Sequence, residues 1–411
     1  MRLLVYSHDA FGLGNIRRML SVCRHLLENI PEVSILVLSG SPAIQNFTIP
    51  VRLDYIKLPF LGRDRNGNLA AKYLTSDVAE TVQLRSNLIK TAIINFKPDL
   101  ILVDKKPYGL LGELKASLDL LKTHAPRTKL VLLLRDVLDS PQVTIKEWQK
   151  QRYYQAIQYY YDRVLVVGTA EVFNLVKEYQ FPQIIKENTI FCGYLRKKIP
   201  KISVELIREK LNLKEQEQLI VVTPGGGEDG YSLIKNYLLA ISNIRSKFSC
   251  KTLIVFGSEM PSKERQELLQ TIDEYSNIIT LDFTEHLMNY LQSADLVVSM
   301  AGYNTITEIL SLGKKAVVVP RCKPSQEQLI RALRMESLGL LSAIAPDNLT
   351  PENLGQAISQ QLDNNHKVIS NLNFDGLINV QREILNLLPN HRKFGLPINS
   401  RYFNSFYPIA I

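Results

Sequence analysis

Short runs that are apolar at nearly every position recur along this chain, separated by stretches with helical spacing. In the first half they are LLVYS (3–7), VSILVLSG (33–40), DLILVDK (99–105), KLVLLLRD (129–136) and RVLVVGT (163–169). A strand with one face in water alternates apolar and polar residues. Segments such as LILV and VLLLR do not alternate, which requires helices on both faces and hence a mostly parallel sheet. The alternation restarts after GYLRKKIPKISVE (193–205), with QLIVVTPGGG, KTLIVFGS, NIITLDF, DLVVSMAG and KKAVVVP as successive strands. At 411 residues the chain exceeds what one core usually serves. The expectation is α/β with two doubly wound, Rossmann-like domains: 1–198, 199–375, and a C-terminal helix and tail (376–411) that packs back on the first. Two helices are expected at 351–363 and 376–388, and a ligand cleft between the domains.

Several classes of function are disfavoured. No run of eighteen apolar residues occurs, and MRLLVYS enters a strand without the pattern of a signal peptide, so the expected location is the cytoplasm. Cys23, Cys192, Cys250 and Cys322 are far apart, and the six histidines make no ligand pattern with them, so neither disulfides nor zinc are expected. The net charge of +9 suits an anionic donor, an acidic membrane surface or nucleic acid. The basic residues, among them Arg17, Arg18, Lys105 and Lys106, are scattered without interleaved aromatics, so no nucleic-acid partner is expected.

Three segments of the second half carry chemistry. In TPGGGEDG (223–230) a strand runs into Gly225, Gly226 and Gly227, with a helix from about Tyr231. Such a turn lets backbone amides approach an anion, or is an ordinary strand-to-helix connection. In DLVVSMAGYNTITEILSLGKKAVVVP (295–320) an Ala301-Gly302 turn joins strand to helix. Asn304 or Thr305 is expected to cap that helix, its amides to receive a diphosphate, and Glu308 to project from the first turn toward a ribose. The same residues also fit a capping box in which Glu308 serves only its own backbone. In PRCKPSQEQLIRA (320–332) Gln328 lies at a strand's C-terminal crevice, where open α/β sheets bind ligands.

The segments SMAGYNTITEIL and VVVPRCKPSQEQLIRA resemble the C-terminal signature of family 28 glycosyltransferases. That family includes the bacterial enzyme that adds N-acetylglucosamine to lipid I and the plant galactolipid synthases. The resemblance covers residues 219–345 well and the first half in outline. It implies the GT-B fold and a nucleotide-sugar donor, UDP-linked. It further implies that Glu308 holds the ribose, that Gly226 and Gly227 with Thr305 border the diphosphate, that Gln328 reaches the sugar, and that the backbone near Phe283 and Thr284 reads uracil. Related sites often carry an arginine before the alanine-glycine pair, where this chain has Met300.

YSHDAFGLGNIRRML (6–20) resembles the glycine-rich acceptor loop, here with Gly12, Gly14 and Asn15. Asn15 stands where the pattern has histidine, and an amide cannot take a proton from a hydroxyl. His8 and Asp9 remain at the end of the first strand as candidate bases, with Asp104 as a carboxylate to orient His8; both also suit plain loop or turn roles. Arg17 and Arg18 read as solvated helix residues. No Asp-x-Asp occurs, so neither a metal nor a cofactor beyond the nucleotide sugar is expected.

The reaction that follows is inverting transfer of a sugar to an acceptor hydroxyl. A nucleotide-sugar hydrolase or epimerase, and a catalytically silent nucleotide-sugar-binding protein, are the alternatives. Lipid acceptors among the relatives, with Phe60, Leu61, Arg63 and Arg65 as an apolar and basic loop, suggest peripheral contact at the inner face of a membrane, although that loop also reads as an ordinary surface turn.

Overall fold

The computed structural model describes residues 1–8, 14–63, 69–199, 202–364 and 370–388, apart from the side chain of Arg63. The first half contributes β1 (Arg2–Ser7), β2 (Ser34–Ser39), β3 (Leu53–Lys57), β4 (Leu61–Arg63), β5 (Leu69–Ala71), β6 (Leu100–Asp104), β7 (Lys129–Arg135), β8 (Arg163–Val167) and β9 (Thr189–Phe191). Seven of these form one sheet in the order β3-β2-β1-β6-β7-β8-β9, with every neighbouring pair parallel. β4 and β5 make a separate antiparallel hairpin.

The second half supplies β10 (Gln218–Thr223), β11 (Cys250–Val255), β12 (Ile278–Leu281), β13 (Leu296–Ser299), β14 (Ala316–Val318) and β15 (Ser342–Ala343). They pair in the order β12-β11-β10-β13-β14-β15, again all parallel. In both sheets the strand order reverses once, between β1 and β6 in the first and between β10 and β13 in the second. A crevice opens at the carboxyl ends of the strands at such a point, because the flanking crossovers leave to opposite sides.

The strand cores show why alternation was absent. All five residues of β6 are buried, as are Leu130–Leu134 of β7 and Leu219–Thr223 of β10. Helices supply the covering layers. Gly14–Asn29 buries Ile16, Met19, Leu20, Cys23 and Leu26 at the spacing of one helical stripe.

Helix Pro351–Asp363 begins where Thr350 accepts the amide of Asn353 and proline occupies the first turn, and it packs on helix Tyr231–Lys247 of its own domain. Helix Gly376–Leu387 instead packs against Gly14–Asn29, burying Val380 and Ile384. The chain's return is pinned by Asn379 Nδ2, which donates to the Cys192 carbonyl at 2.7 Å, and by a bridge between Leu195 and Asp375.

A buried polar network braces the loop after β6. The Tyr6 hydroxyl donates to Glu113 Oε1 at 2.5 Å and accepts the Leu110 amide at 2.9 Å. Arg85 reaches both Glu113 oxygens, at 2.5 and 2.7 Å, and also the Pro59 carbonyl at 2.6 Å. Charges so deep are tolerated only when paired and fully hydrogen-bonded.

No helix among the described residues is long and apolar enough to cross a membrane. In the loop considered for membrane contact Leu61 is fully buried, so it forms part of the core rather than an exposed apolar tip. Phe60 packs beside Tyr73 with ring centroids 6.0 Å apart, and Arg65 lies outside the described residues.

Candidate functional site

The crevices of the two sheets face each other and form one cleft of about 470 Å³. On the side of the second domain, Gly225–Gly227 follow β10, and Gly302–Thr305 follow the neighbouring β13. The two loops touch: a Cβ at Gly225 would lie 3.4 Å from Thr305 Oγ1. Gly227 has a φ of +102°, and a Cβ there would come within 2.5 Å of the Phe256 carbonyl oxygen, so only glycine fits.

The helix after β13 runs from Tyr303 to Ser311, with Gly302 as N-cap and no side chain capping it. Asn304 and Thr305 are therefore not caps, which corrects the sequence expectation. Asn304 Nδ2 instead crosses the cleft to the Gly14 carbonyl at 3.2 Å. A helix start without a side-chain cap, opening on a cleft, presents amides and the positive end of the dipole to whatever binds there.

Glu308 also departs from expectation. It lies beyond the first turn, is buried, and forms neither a capping box nor part of the cleft lining. Its Oε1 is paired with Lys197 and is 3.8 Å from Arg17. Gln328, in the first turn of helix Glu327–Ser337, lines the cleft and accepts the Arg321 amide at 3.3 Å. Phe283 lines the cleft too, whereas Thr284 accepts the amide of His286 at 3.0 Å. Met300 lines the cleft.

The facing wall carries His8, directly after β1, Gly14 and Asn15 at the start of helix Gly14–Asn29, and Lys105 and Lys106 after β6. Asp9 and Gly12 lie outside the described residues. Asn15 clamps the local backbone: its Nδ2 donates to the His8 carbonyl at 2.6 Å, and its Oδ1 accepts from Arg18 at 3.2 Å. Asp104 does not hold the His8 ring, contrary to the orienting role expected of it. Its Oδ2 accepts the His8 amide at 3.3 Å, and its Oδ1 pairs with Arg18 at 2.6 Å. Arg18 is thus a buried ion-pair partner rather than a solvated residue, because the helix face that carries it packs against β1.

Burial, reinforced by Lys105, Lys106, Arg85 and Arg135, pushes the His8 imidazole well below its usual range, so the ring is neutral at physiological pH. Burial and the Arg135 guanidinium bring the Lys105 ammonium down to about 8, against the pull of Glu327. Burial alone would raise the Glu327 carboxyl, but Arg135, Arg331, Lys105 and Arg321 outweigh it and hold it at about 2. On the second wall burial raises the carboxyls of Glu228 and Glu259, with Asp229 adding to both. One wall is cationic around a neutral imidazole; the other mixes amides with carboxylates.

Sequence reasoning missed the contacts that join the domains. Arg331 makes a bidentate pair with Asp136 at 2.7 Å to each oxygen, Arg135 pairs with Glu327, and Asp139 Oδ1 accepts the Gln326 amide at 2.9 Å. The available signal was the charged Arg135-Asp136 at the end of an otherwise apolar strand, at the edge where open sheets bind ligands.

The profile of the glycosyltransferase family 28 C-terminal domain matches residues 219–373. The second domain is a family 28 glycosyltransferase C-terminal domain. The chain is also similar to UDP-N-acetylglucosamine--N-acetylmuramyl-(pentapeptide) pyrophosphoryl-undecaprenol N-acetylglucosamine transferases. With that of Clostridioides difficile it is 25% identical over 47% of each chain. With that of Acetivibrio thermocellus it is 24% identical over 86% of this chain and 88% of the relative. The chain thus spans about half the length of the first of these relatives in the matched region. Among solved structures, MurG of Acinetobacter baumannii superposes with a TM-score of 0.57 at 13% identity, over 95% of this chain and 99% of that one. The fold of the whole chain is therefore GT-B, with the family 28 C-terminal domain as its second half.

Proposed function

We propose that the chain transfers a sugar from a UDP-sugar to an acceptor hydroxyl, with inversion at the anomeric carbon and without a metal or further cofactor. The observation that carries this reading is the meeting of two strand-end crevices. A glycine turn and a helix start without a side-chain cap stand on one wall, and a neutral histidine stands on the other.

The diphosphate lies against Gly225–Gly227 and the amides that begin at Gly302, where the helix dipole stabilises the departing charge. Gln328 contacts the sugar, and the backbone at Phe283 and Thr284 reads the base. Glu308 takes the ribose by exchanging its partner Lys197. His8, held by its own amide and carbonyl, accepts the acceptor's proton. The acceptor enters from the first domain and is a lipid-linked sugar, a reading supported by the N-acetylmuramyl pyrophosphoryl-undecaprenol in the relatives' names.

Thermal denaturation with UDP, UDP-N-acetylglucosamine, UDP-glucose and UDP-galactose tests the donor half. A ligand at a hundred times its Kd adds about 2.7 kcal/mol to the state that binds it. A domain of this size then melts roughly 5–10 °C higher. No rise with any of the four would overturn the reading. His8→Ala is expected to bind UDP as the parent does and to release it from the sugar far more slowly.

A further inference from the structure

We propose that Arg331, with Asp136, Tyr303 and Arg18, is a positioning assembly that sets the register between the helix start on the donor wall and His8 on the opposite wall. The proposal rests on the sugar-transfer reading above. None of these residues except Tyr303 and Arg18 reaches the cleft, so Arg331 and Asp136 can act only through others.

Arg331 is completely buried and uses one guanidinium for two domains. Its Nη1 donates to the Ala301 carbonyl at 2.8 Å, in the turn from which helix Tyr303–Ser311 starts. Its Nε and Nη2 donate to the two oxygens of Asp136, which directly follows β7 of the first domain. The Tyr194 hydroxyl adds a third hydrogen bond to that carboxylate at 3.1 Å. A planar fork gripping a carboxylate fixes angle as well as distance, which a point charge does not.

A second line of contacts runs from the same turn to the base. Two guanidinium carbons approach the Tyr303 ring, Arg331 at 5.8 Å and Arg18 at 5.9 Å from its centroid. Arg18 holds Asp104 and Asn15, and these hold the amide and the carbonyl of His8. The donor-side helix start and the backbone of the base are thus joined through the buried Tyr303, Arg18 and Asp104 and the half-buried Asn15. In-line displacement depends on such placement, and an error of about 1 Å costs about 100-fold in rate.

A purely structural pair and a positioning pair respond differently to apolar replacement. Exchanging both members of a buried ion pair for well-packed apolar residues is often neutral or stabilising, whereas removing one leaves an uncompensated charge. The test therefore uses the full chain as parent, as Arg331→Lys, and as the double variant Asp136→Leu with Arg331→Met. Thermal unfolding, UDP affinity by calorimetry, and steady-state UDP release from UDP-N-acetylglucosamine, UDP-glucose and UDP-galactose, with water taking the sugar, are measured on each.

The expected result is a double variant that melts no lower than the parent and binds UDP within about threefold, yet releases UDP about 100-fold more slowly through kcat with KM for donor unchanged. Arg331→Lys, which keeps the charge but loses the fork, falls between. A double variant with parental turnover overturns the proposal, as does one that loses UDP binding together with turnover. A parent that fails to bind UDP overturns the sugar-transfer reading itself. A parent that binds UDP but releases none from the three donors overturns the proposal, for no reaction then depends on the register.

Discussion

Replacing Gly227 by alanine should cost the second domain more than any other single methyl added to the cleft. At φ +102° an alanine sits where L-residues are strained by roughly 1–3 kcal/mol. Its Cβ would also lie 2.5 Å from the Phe256 carbonyl oxygen and 3.0 Å from the Met260 amide nitrogen, both backbone atoms that cannot swing aside. Gly226 is the control. A Cβ there meets only the Glu259 carboxylate, at 2.6 Å, and that side chain can rotate away. Gly227→Ala should therefore lower stability by about 2–4 kcal/mol, or roughly 5–15 °C for a domain of this size, and Gly226→Ala by less than about 1 kcal/mol. Differential scanning calorimetry reads the melting temperatures, and titration with UDP reads the site. Because the loop borders the proposed diphosphate, Gly227→Ala should also weaken UDP binding at a temperature where it remains folded. Equal melting temperatures for the two variants would refute the steric argument, and undiminished UDP affinity in Gly227→Ala would remove the loop from the donor site.

Three other substitutions probe carboxylates in and behind the cleft walls. Glu308→Ala should weaken UDP binding about tenfold or more, the usual worth of a hydrogen bond to a charged group; unchanged affinity by calorimetry would show that the carboxylate stays with Lys197 in the complex. Glu113→Gln leaves Arg85 buried without a counter-charge, at a cost of about 3–5 kcal/mol, and urea denaturation would contradict the network's role if the midpoint hardly moved. Glu327, held at about 2 when folded, favours the folded state above its unfolded pKa near 4.3 and loses that contribution as pH falls through 2. The shift corresponds to about 3 kcal/mol, so Glu327→Gln should be less stable than the parent by roughly that amount at pH 6, with the gap closing toward pH 2; a gap independent of pH would refute the linkage.

What could be read in the sequence was set by local physics. Strands such as LILVD and VLLLR announce burial on both faces, and their observed bounds, Leu100–Asp104 and Lys129–Arg135, fall within the runs that predicted them. Pro351–Asp363 and Gly376–Leu387 were equally plain from their period. β3, with the sequence LDYIK, is a half-exposed edge strand, and β15 has two residues, so neither carries a periodic signal. The site divided along the same line. Gly225–Gly227 and Gly302 were found because a turn between strand and helix has a sequence signature. Arg18, Asp136 and Arg331 were not found, because each alone reads as a surface charge. Only the fold reveals that partners 86 and 195 residues apart meet in the interior.

The cationic wall around His8 poses a problem that the donor itself can solve. A base held neutral by burial first, and then by Lys105, Lys106, Arg85 and Arg135, is free to accept a proton, yet the imidazolium it would become is disfavoured by the same burial and charges. A bound nucleoside diphosphate would bring negative charge into that field. That charge opposes the cationic part of the penalty, while the part due to burial remains. Deprotonation of the acceptor then becomes more favourable when the donor side is filled than when the cleft is empty. The consequence is directional and measurable: saturating UDP should raise the His8 pKa, followed by NMR titration of the imidazole with the remaining histidines as internal controls. A His8 titration unmoved by UDP, in a chain that demonstrably binds it, would mean that the two walls do not share one electrostatic field, and the histidine would lose its place opposite the leaving group.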